Sequence, residues 1–77
     1  MWPWIETNKG TLIKITEIEA ISVTKDVDVK KYRVLIRTRG GGKYTYALFD
    51  LKEEAQKELL RLAETIARIE EQTLERA

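Results

Sequence analysis

The sequence predicts an α+β fold, with a small antiparallel five-stranded sheet or partly open barrel (a β-meander) followed by one long carboxy-terminal amphipathic helix. Three observations support this. Residues 1–49 contain short apolar runs with alternating side chains, turn residues separate these runs, and residues 50–77 repeat apolar residues at steps of three and four without Gly or Pro. We expect one domain over 1–77, with the β part at 1–49 and the helix at 50–77.

The first two strands are predicted to form a hairpin. An Asn-Lys-Gly turn at 8–10 separates an opening strand through Trp4 from an apolar strand that begins at Leu12. Isoleucines then recur at steps of three from Ile15 to Ile21, which fits a short helical turn between two strands. Residues 23–29 contain three charged side chains, so we expect a solvated loop or hairpin end there.

Residues 30–46 carry six Lys or Arg, three Tyr and no acid, in two strand-like runs joined by three glycines at 40–42. A three-residue loop at these glycines would place Arg39 opposite Lys43. Alternation then assigns one set of side chains to the core, under the helix: Tyr32, Val34, Ile36, Thr38, Tyr44, Tyr46 and Leu48. The other set faces outward: Arg33, Leu35, Arg37, Arg39, Lys43, Thr45, Ala47 and Phe49.

The outward cations make this hairpin a candidate nucleic-acid interface. Clustered cations repel one another, and contact with phosphates would relieve that repulsion. The predicted phosphate contacts are Arg33, Arg37, Arg39 and Lys43, and Lys30 and Lys31 extend the patch. The alternative is that these side chains form a solvated face that protects the sheet from aggregation.

The helix is predicted to begin at Asp50, whose carboxylate can accept a hydrogen bond from a backbone N–H of the first turn. Its core stripe is Ala55, Leu59, Leu62, Ile66 and Ile69. At about 1.5 Å per residue the helix is longer than the predicted strands. Its last turns therefore either fray in solvent or bury Ile66, Ile69 and Leu74 against a partner, which makes a homodimer through the helix a second hypothesis.

Composition argues against catalysis. The chain has no His, no Cys and a single serine, Ser22, so the usual nucleophile–base pairs and soft metal sites cannot be assembled. We expect no enzyme activity, no cofactor, no metal and no small-molecule substrate. Lys and Arg outnumber acids nine to five in residues 1–49, and acids outnumber them eight to five in 50–77.

The amino terminus lacks the layout of a signal peptide, and no apolar run reaches the roughly 20 residues of a membrane span. We therefore expect a soluble, cytoplasmic protein without a membrane partner.

Three segments carry a resemblance to a known family. They are Ile-Lys-Ile-Thr-Glu-Ile-Glu-Ala-Ile at 13–21, Gly-Gly-Gly-Lys at 40–43 and Ala-Gln-Lys-Glu-Leu-Leu at 55–60. In order and spacing they resemble the small archaeal 7 kDa chromatin proteins. That resemblance implies an incomplete barrel of SH3 type closed by a carboxy-terminal helix, and binding of duplex DNA through the three-stranded sheet. The layout is also similar to uncharacterised small prokaryotic proteins with a β-meander and a terminal helix.

The DNA-facing positions of that family fall on Tyr32, Val34, Ile36, Tyr46 and Leu48, which alternation assigns to the core. Its groove-contacting tryptophan falls on Ser22. The sequence therefore favours binding through arginine and phosphate, and the function it predicts is sequence-nonspecific nucleic-acid binding. The alternative is a structural or adaptor module for protein interactions, which would form a dimer through the helix.

Overall fold

The computed structural model describes residues 2–76, and side chains through residue 72. The elements in chain order are β1 (Trp4–Glu6), β2 (Leu12–Lys14), a 3-10 helix (Ile15–Glu17), β3 (Ile18–Asp26), β4 (Lys31–Thr38), β5 (Lys43–Phe49) and α1 (Lys52–Arg76). The predicted α+β class, with five antiparallel strands before one helix, is confirmed. The strands form two open sheets, a β1–β2 hairpin and a three-stranded β3–β4–β5 sheet, and the barrel is not closed.

The core lies between the two sheets and α1. The hairpin contributes Ile5 and Ile13, and β4 contributes Val34 and Ile36, which are both 0% exposed. The remaining buried apolar residues are Ile15, Ala55, Leu62 and Ile69. Each strand of the three-stranded sheet contacts the helix. The apolar side chains at every second position of β4 therefore pack against the apolar side chains that recur every three or four residues on α1.

The glycine loop differs from the prediction by one residue. The structure pairs Arg37 with Lys43, and Thr38 N–H donates to Gly42 O at 2.9 Å, so the three-residue loop is 39–41. Gly41 has φ of 86°, a left-handed conformation that glycine adopts without the steric cost of a Cβ. Gly41 is the third residue of the loop, and the third residue of a three-residue hairpin loop commonly adopts this left-handed conformation.

A β-bulge changes the faces of β5. Leu35 pairs with Thr45 while Val34 pairs with Ala47, which makes Tyr46 the extra residue. Every side chain after the bulge therefore changes face relative to the prediction. Phe49 packs against the core, whereas Leu48 is 40% exposed, so the predicted orientations of these two side chains are wrong.

Two predicted boundaries also need correction. The expected loop at 23–29 is shorter, because β3 continues to Asp26. The helix begins at Lys52, and Asp50, the expected cap, instead places its carboxylate Oδ1 3.6 Å from Lys31 Nζ. Within residues 2–76, no helix is long and apolar enough to cross a membrane.

Candidate nucleic-acid interface

The six predicted phosphate contacts are spread along the β4–β5 hairpin. Lys30 lies in the turn before β4 with φ of 55°, and Lys31 is the first residue of the strand. At the other end, Arg39 is the first residue of the glycine loop and Lys43 is the first residue of β5. Because β4 has eight residues and a strand rises about 3.3 Å per residue, the two ends are about 25 Å apart. The six cations therefore do not form one compact cluster.

Three of these cations have carboxylate partners. Arg33 Nη2 lies 2.6 Å from Asp26 Oδ2, and both side chains are largely covered. Arg37 Nε lies 3.5 Å from Glu19 Oε2, and Lys31 pairs with Asp50 as described above. The outer face of the three-stranded sheet therefore places a carboxylate beside each of these charges, and those carboxylates repel phosphate.

The other predicted contacts are differently placed. Arg39 is exposed, and its Nε donates to the carbonyl oxygen of Thr16 at 3.1 Å, so its guanidinium charge has no carboxylate partner among residues 2–72. Lys43 is exposed and likewise has no ion-pair partner in that part of the chain. Lys30, in the turn at the opposite end, is exposed and also forms no ion pair with the described side chains. Two of the three predicted contacts without a carboxylate partner therefore lie at the glycine-loop end.

The β1–β2 turn brings a further cation to this end of the molecule. The turn is closed by Thr7 N–H donating to Thr11 O at 2.8 Å and by Thr11 N–H donating to the buried Thr7 hydroxyl at 3.1 Å. Gly10 has φ of 84° and completes the reversal. Asn8 N–H donates to Thr45 O at 3.1 Å, which docks the turn against β5. Lys9, at the tip of the turn, is therefore carried to the edge of the three-stranded sheet.

The docked turn and β5 enclose an open groove of about 470 Å³, which we call the basic groove. Three of its lining residues are cations, Lys9, Arg33 and Lys43, and none is an acid. The rest of the lining is polar, aromatic or aliphatic: Thr7, Asn8, Thr11, Tyr44, Thr45 and Leu48. Lys9, like Lys43, is exposed and forms no ion pair with the described side chains. The groove therefore combines positive charge, hydroxyl and amide groups, and one aromatic ring.

Tyr44 is the aromatic residue of this groove. It is 36% exposed, although alternation assigned it to the core. Its ring packs over Gly42, where an added Cβ would lie 2.9 Å from Tyr44 Cε2 and 3.2 Å from its hydroxyl oxygen. The missing side chain at Gly42 thus leaves room for the ring beside the loop.

Sequence reasoning identified Arg33 and Lys43 but missed Lys9 and Tyr44. Lys9 is remote in sequence from the hairpin, and the only local signal is its place at the tip of a predicted turn. The position of Tyr44 depends on the loop and on Gly42, which alternation does not describe. The basic groove therefore forms only because the β1–β2 turn packs against β5, which is distant from it in the sequence.

The expected dimer contacts have other roles in the structure. Ile69 is 5% exposed and belongs to the core, as its place in the predicted stripe of α1 requires. Ile66 is partly buried and packs against the same core. The side chain of Leu74 lies outside the described residues. Trp2, Trp4 and Ile5 line one largely apolar groove with Ile69, so the amino-terminal segment lies beside this part of the helix.

Among the described residues, no group of three or more acidic side chains is arranged to hold a metal ion. Comparison with protein families, with curated proteins and with solved structures finds no match for this chain.

Proposed function

We propose that this protein binds nucleic acid without sequence specificity, and that the basic groove is the contact site. The observation that carries the proposal is the lining of the groove. Among the described residues it contains no acid, and it holds Lys9 and Lys43, which form no ion pair, beside Arg33, which is paired with Asp26. Lysine and arginine contacts to phosphate release condensed counterions, which supplies most of the free energy of nonspecific binding.

The distribution of charge over the sheet supports this location. Lys31, Arg33 and Arg37 each have a carboxylate within ion-pair distance, whereas Lys9 and Lys43 have none among the described side chains. Arg39, beside the same loop, adds a third charge without a carboxylate partner in that part of the chain. Phosphates are therefore attracted most strongly to the glycine-loop end of the molecule.

The resemblance to the small archaeal chromatin proteins is a second line of support for nucleic acid as the ligand. Those proteins bind through the face of their three-stranded sheet, and the corresponding positions here include Val34 and Ile36, which are fully buried under the helix. We therefore propose a different contact surface, at the edge of the sheet.

The alternative function is an adaptor module that dimerises through α1. Two of its three expected contact residues, Ile66 and Ile69, pack in the monomer core. Nucleic-acid binding is accordingly the function that the geometry favours.

The test is a fluorescence titration of labelled single-stranded and duplex oligonucleotides at several salt concentrations, with wild-type protein and a Lys9→Gln/Lys43→Gln variant. Wild type should bind with an affinity that falls as salt rises. The variant should bind more weakly, and its salt slope should be lower by about 1.4–1.8, since each phosphate contact contributes roughly 0.7–0.9.

The matched control is Lys52→Gln/Lys57→Gln, which removes the same charge from two exposed positions on α1. Its salt slope should equal that of wild type. The proposal fails if neither oligonucleotide binds at low salt, or if the two double variants have the same effect.

A further inference from the structure

We infer that the ligand of the basic groove is a single nucleic-acid strand, with a base stacked on Tyr44 and the neighbouring phosphates held by Lys9 and Lys43. This inference rests on the proposed function and specifies its ligand. It concerns an aromatic residue that phosphate binding alone does not require.

The size of the groove is the first reason. A volume of about 470 Å³ lies within the range of clefts that hold small organic ligands, about 300–1,000 Å³, and suits one nucleotide at a time. Bases in a duplex stack on one another and present only their edges in the grooves. A base can enter a cleft of this size face-on only from an unpaired strand.

The setting of Tyr44 is the second reason. The ring packs against the backbone of Gly42 while the residue remains 36% exposed in the groove. A ring supported on one side and open on the other is a platform for stacking, and every base has a face that can stack on it. Stacking therefore adds affinity for single strands without adding sequence specificity.

The charge of the sheet face is the third reason. A duplex lying across that face would bring phosphates close to Glu19, which is paired with Arg37, a residue outside the groove lining. A single strand that follows the groove contacts a lining without acids. Repulsion thus disfavours the duplex more than the single strand.

The first experiment compares a labelled oligothymidylate with a blunt duplex of the same length, by fluorescence anisotropy at low salt. Wild type should bind the single strand at least about tenfold more tightly. Tyr44→Ala should weaken single-strand binding by about fivefold to a hundredfold, the effect of losing one aromatic stack. Tyr44→Phe, which keeps the ring, should remain within about twofold of wild type.

Leu60→Ala is the control, because it removes exposed apolar surface from α1, outside the groove, without removing a ring. Its single-strand affinity should stay near that of wild type. The Tyr44→Ala variant should also keep the wild-type salt slope, because a stacked ring contacts no phosphate, whereas Lys9→Gln/Lys43→Gln lowers that slope.

A second pair of variants tests the position of the ring without removing it. Gly42→Ala places a methyl group against the Tyr44 ring and the Thr38 hydroxyl, so it should displace the ring and weaken single-strand binding. Gly40→Ala, whose added Cβ meets nothing within 4 Å, should not. Circular dichroism of both variants checks that the fold is intact.

Equal binding of single strand and duplex, or a Tyr44→Ala variant equal to wild type, would overturn the inference. If the lysine variant is still weakened in that case, the proposed function stands. Thymidine monophosphate that competes as tightly as the oligonucleotide would identify a free nucleotide as the ligand and would also overturn it. Failure of both oligonucleotides to bind would overturn the inference and the proposed function together.

Discussion

The two faces of strand β4 differ sharply although their residues alternate one by one. On the inner face Val34 and Ile36 are fully buried under α1. On the outer face Arg33 and Arg37 are held by Asp26 and Glu19. The inner face stabilises the fold by removing apolar surface from water, and the outer face is kept close to neutral by local ion pairs.

This difference teaches that a cation on a solvent-facing strand is not by itself a contact for an acidic ligand. The charges available to a ligand are those that the fold leaves without carboxylates. Two of the predicted contacts of this kind, Arg39 and Lys43, lie at the glycine-loop end, near the docked β1–β2 turn with Lys9, and Lys30 lies at the opposite end. The difference between the two faces can be tested by truncating one side chain on each face, and then by neutralising individual carboxylates.

The largest effect is expected from the inner face. Ile36→Ala should lower the free energy of unfolding by about 2–5 kcal/mol, because a fully buried side chain is replaced by a cavity. Leu35→Ala, one residue away on the half-covered outer face, should cost less than about half as much. Guanidinium unfolding curves measure both. Equal losses for the two variants would contradict the assignment of faces.

A smaller effect is expected from the ion pairs of the outer face. Asp26→Asn should cost about 1 kcal/mol, because the short pair with Arg33 is largely covered and Arg33 Nε is already buried without a protein acceptor among the described residues. The asparagine oxygen can still accept the bond that Asp26 Oδ1 receives from Asp28 N–H, so the turn is preserved.

Glu19→Gln is the matched variant, since it breaks an ion pair in which both side chains are about half exposed. It should cost only about 0.2–0.5 kcal/mol. Both losses are read from denaturant unfolding at low ionic strength. The ranking of the two pairs would be wrong if Glu19→Gln destabilised the protein as much as Asp26→Asn.

Much of the fold was predictable from local patterns. The alternation of Val34 and Ile36 identified the inner face of β4, and the helical spacing of Leu62 and Ile69 identified the buried stripe of α1. The bulge at Tyr46 was not predictable. One extra residue moves every following side chain of the strand to the opposite face of the sheet, and nothing in the composition signals it. The faces of β5 were therefore predicted correctly only in part.

The candidate site was less predictable than the fold. Composition pointed to Arg33 and Lys43, but it did not show that Asp26 would neutralise the first of them, because that contact depends on the β3–β4 register. The inclusion of Lys9 depends on the hydrogen bond from Asn8 N–H to Thr45 O, between residues far apart in the chain. Long-range contacts of this kind are set by tertiary structure and leave no periodic signal.

The smallest effect concerns Tyr46, the bulge residue, which packs against the core between the strands and α1. Burial raises the pKa of Tyr46 above its ordinary value of 10.0, the nearby Glu58 carboxylate raises it further, and Arg61 acts in the opposite direction. Below pH 10 the tyrosine is protonated in both the folded and the unfolded chain, so its contribution to stability is fully present.

As the pH rises above that value, the unfolded chain releases its proton before the folded protein does, and the free energy of unfolding falls until the folded pKa is passed. Tyr46→Phe removes this dependence. Unfolding measured between about pH 9 and about pH 11 should therefore show a smaller loss of stability in the variant than in wild type. Absorbance at about 295 nm, which follows tyrosinate, should show a smaller total change on titration of the variant, because the tyrosine with the raised pKa has been removed. Parallel loss of stability in the two proteins would mean that the bulge leaves Tyr46 in water, and the partition of β5 between an inner and an outer face would have to be redrawn.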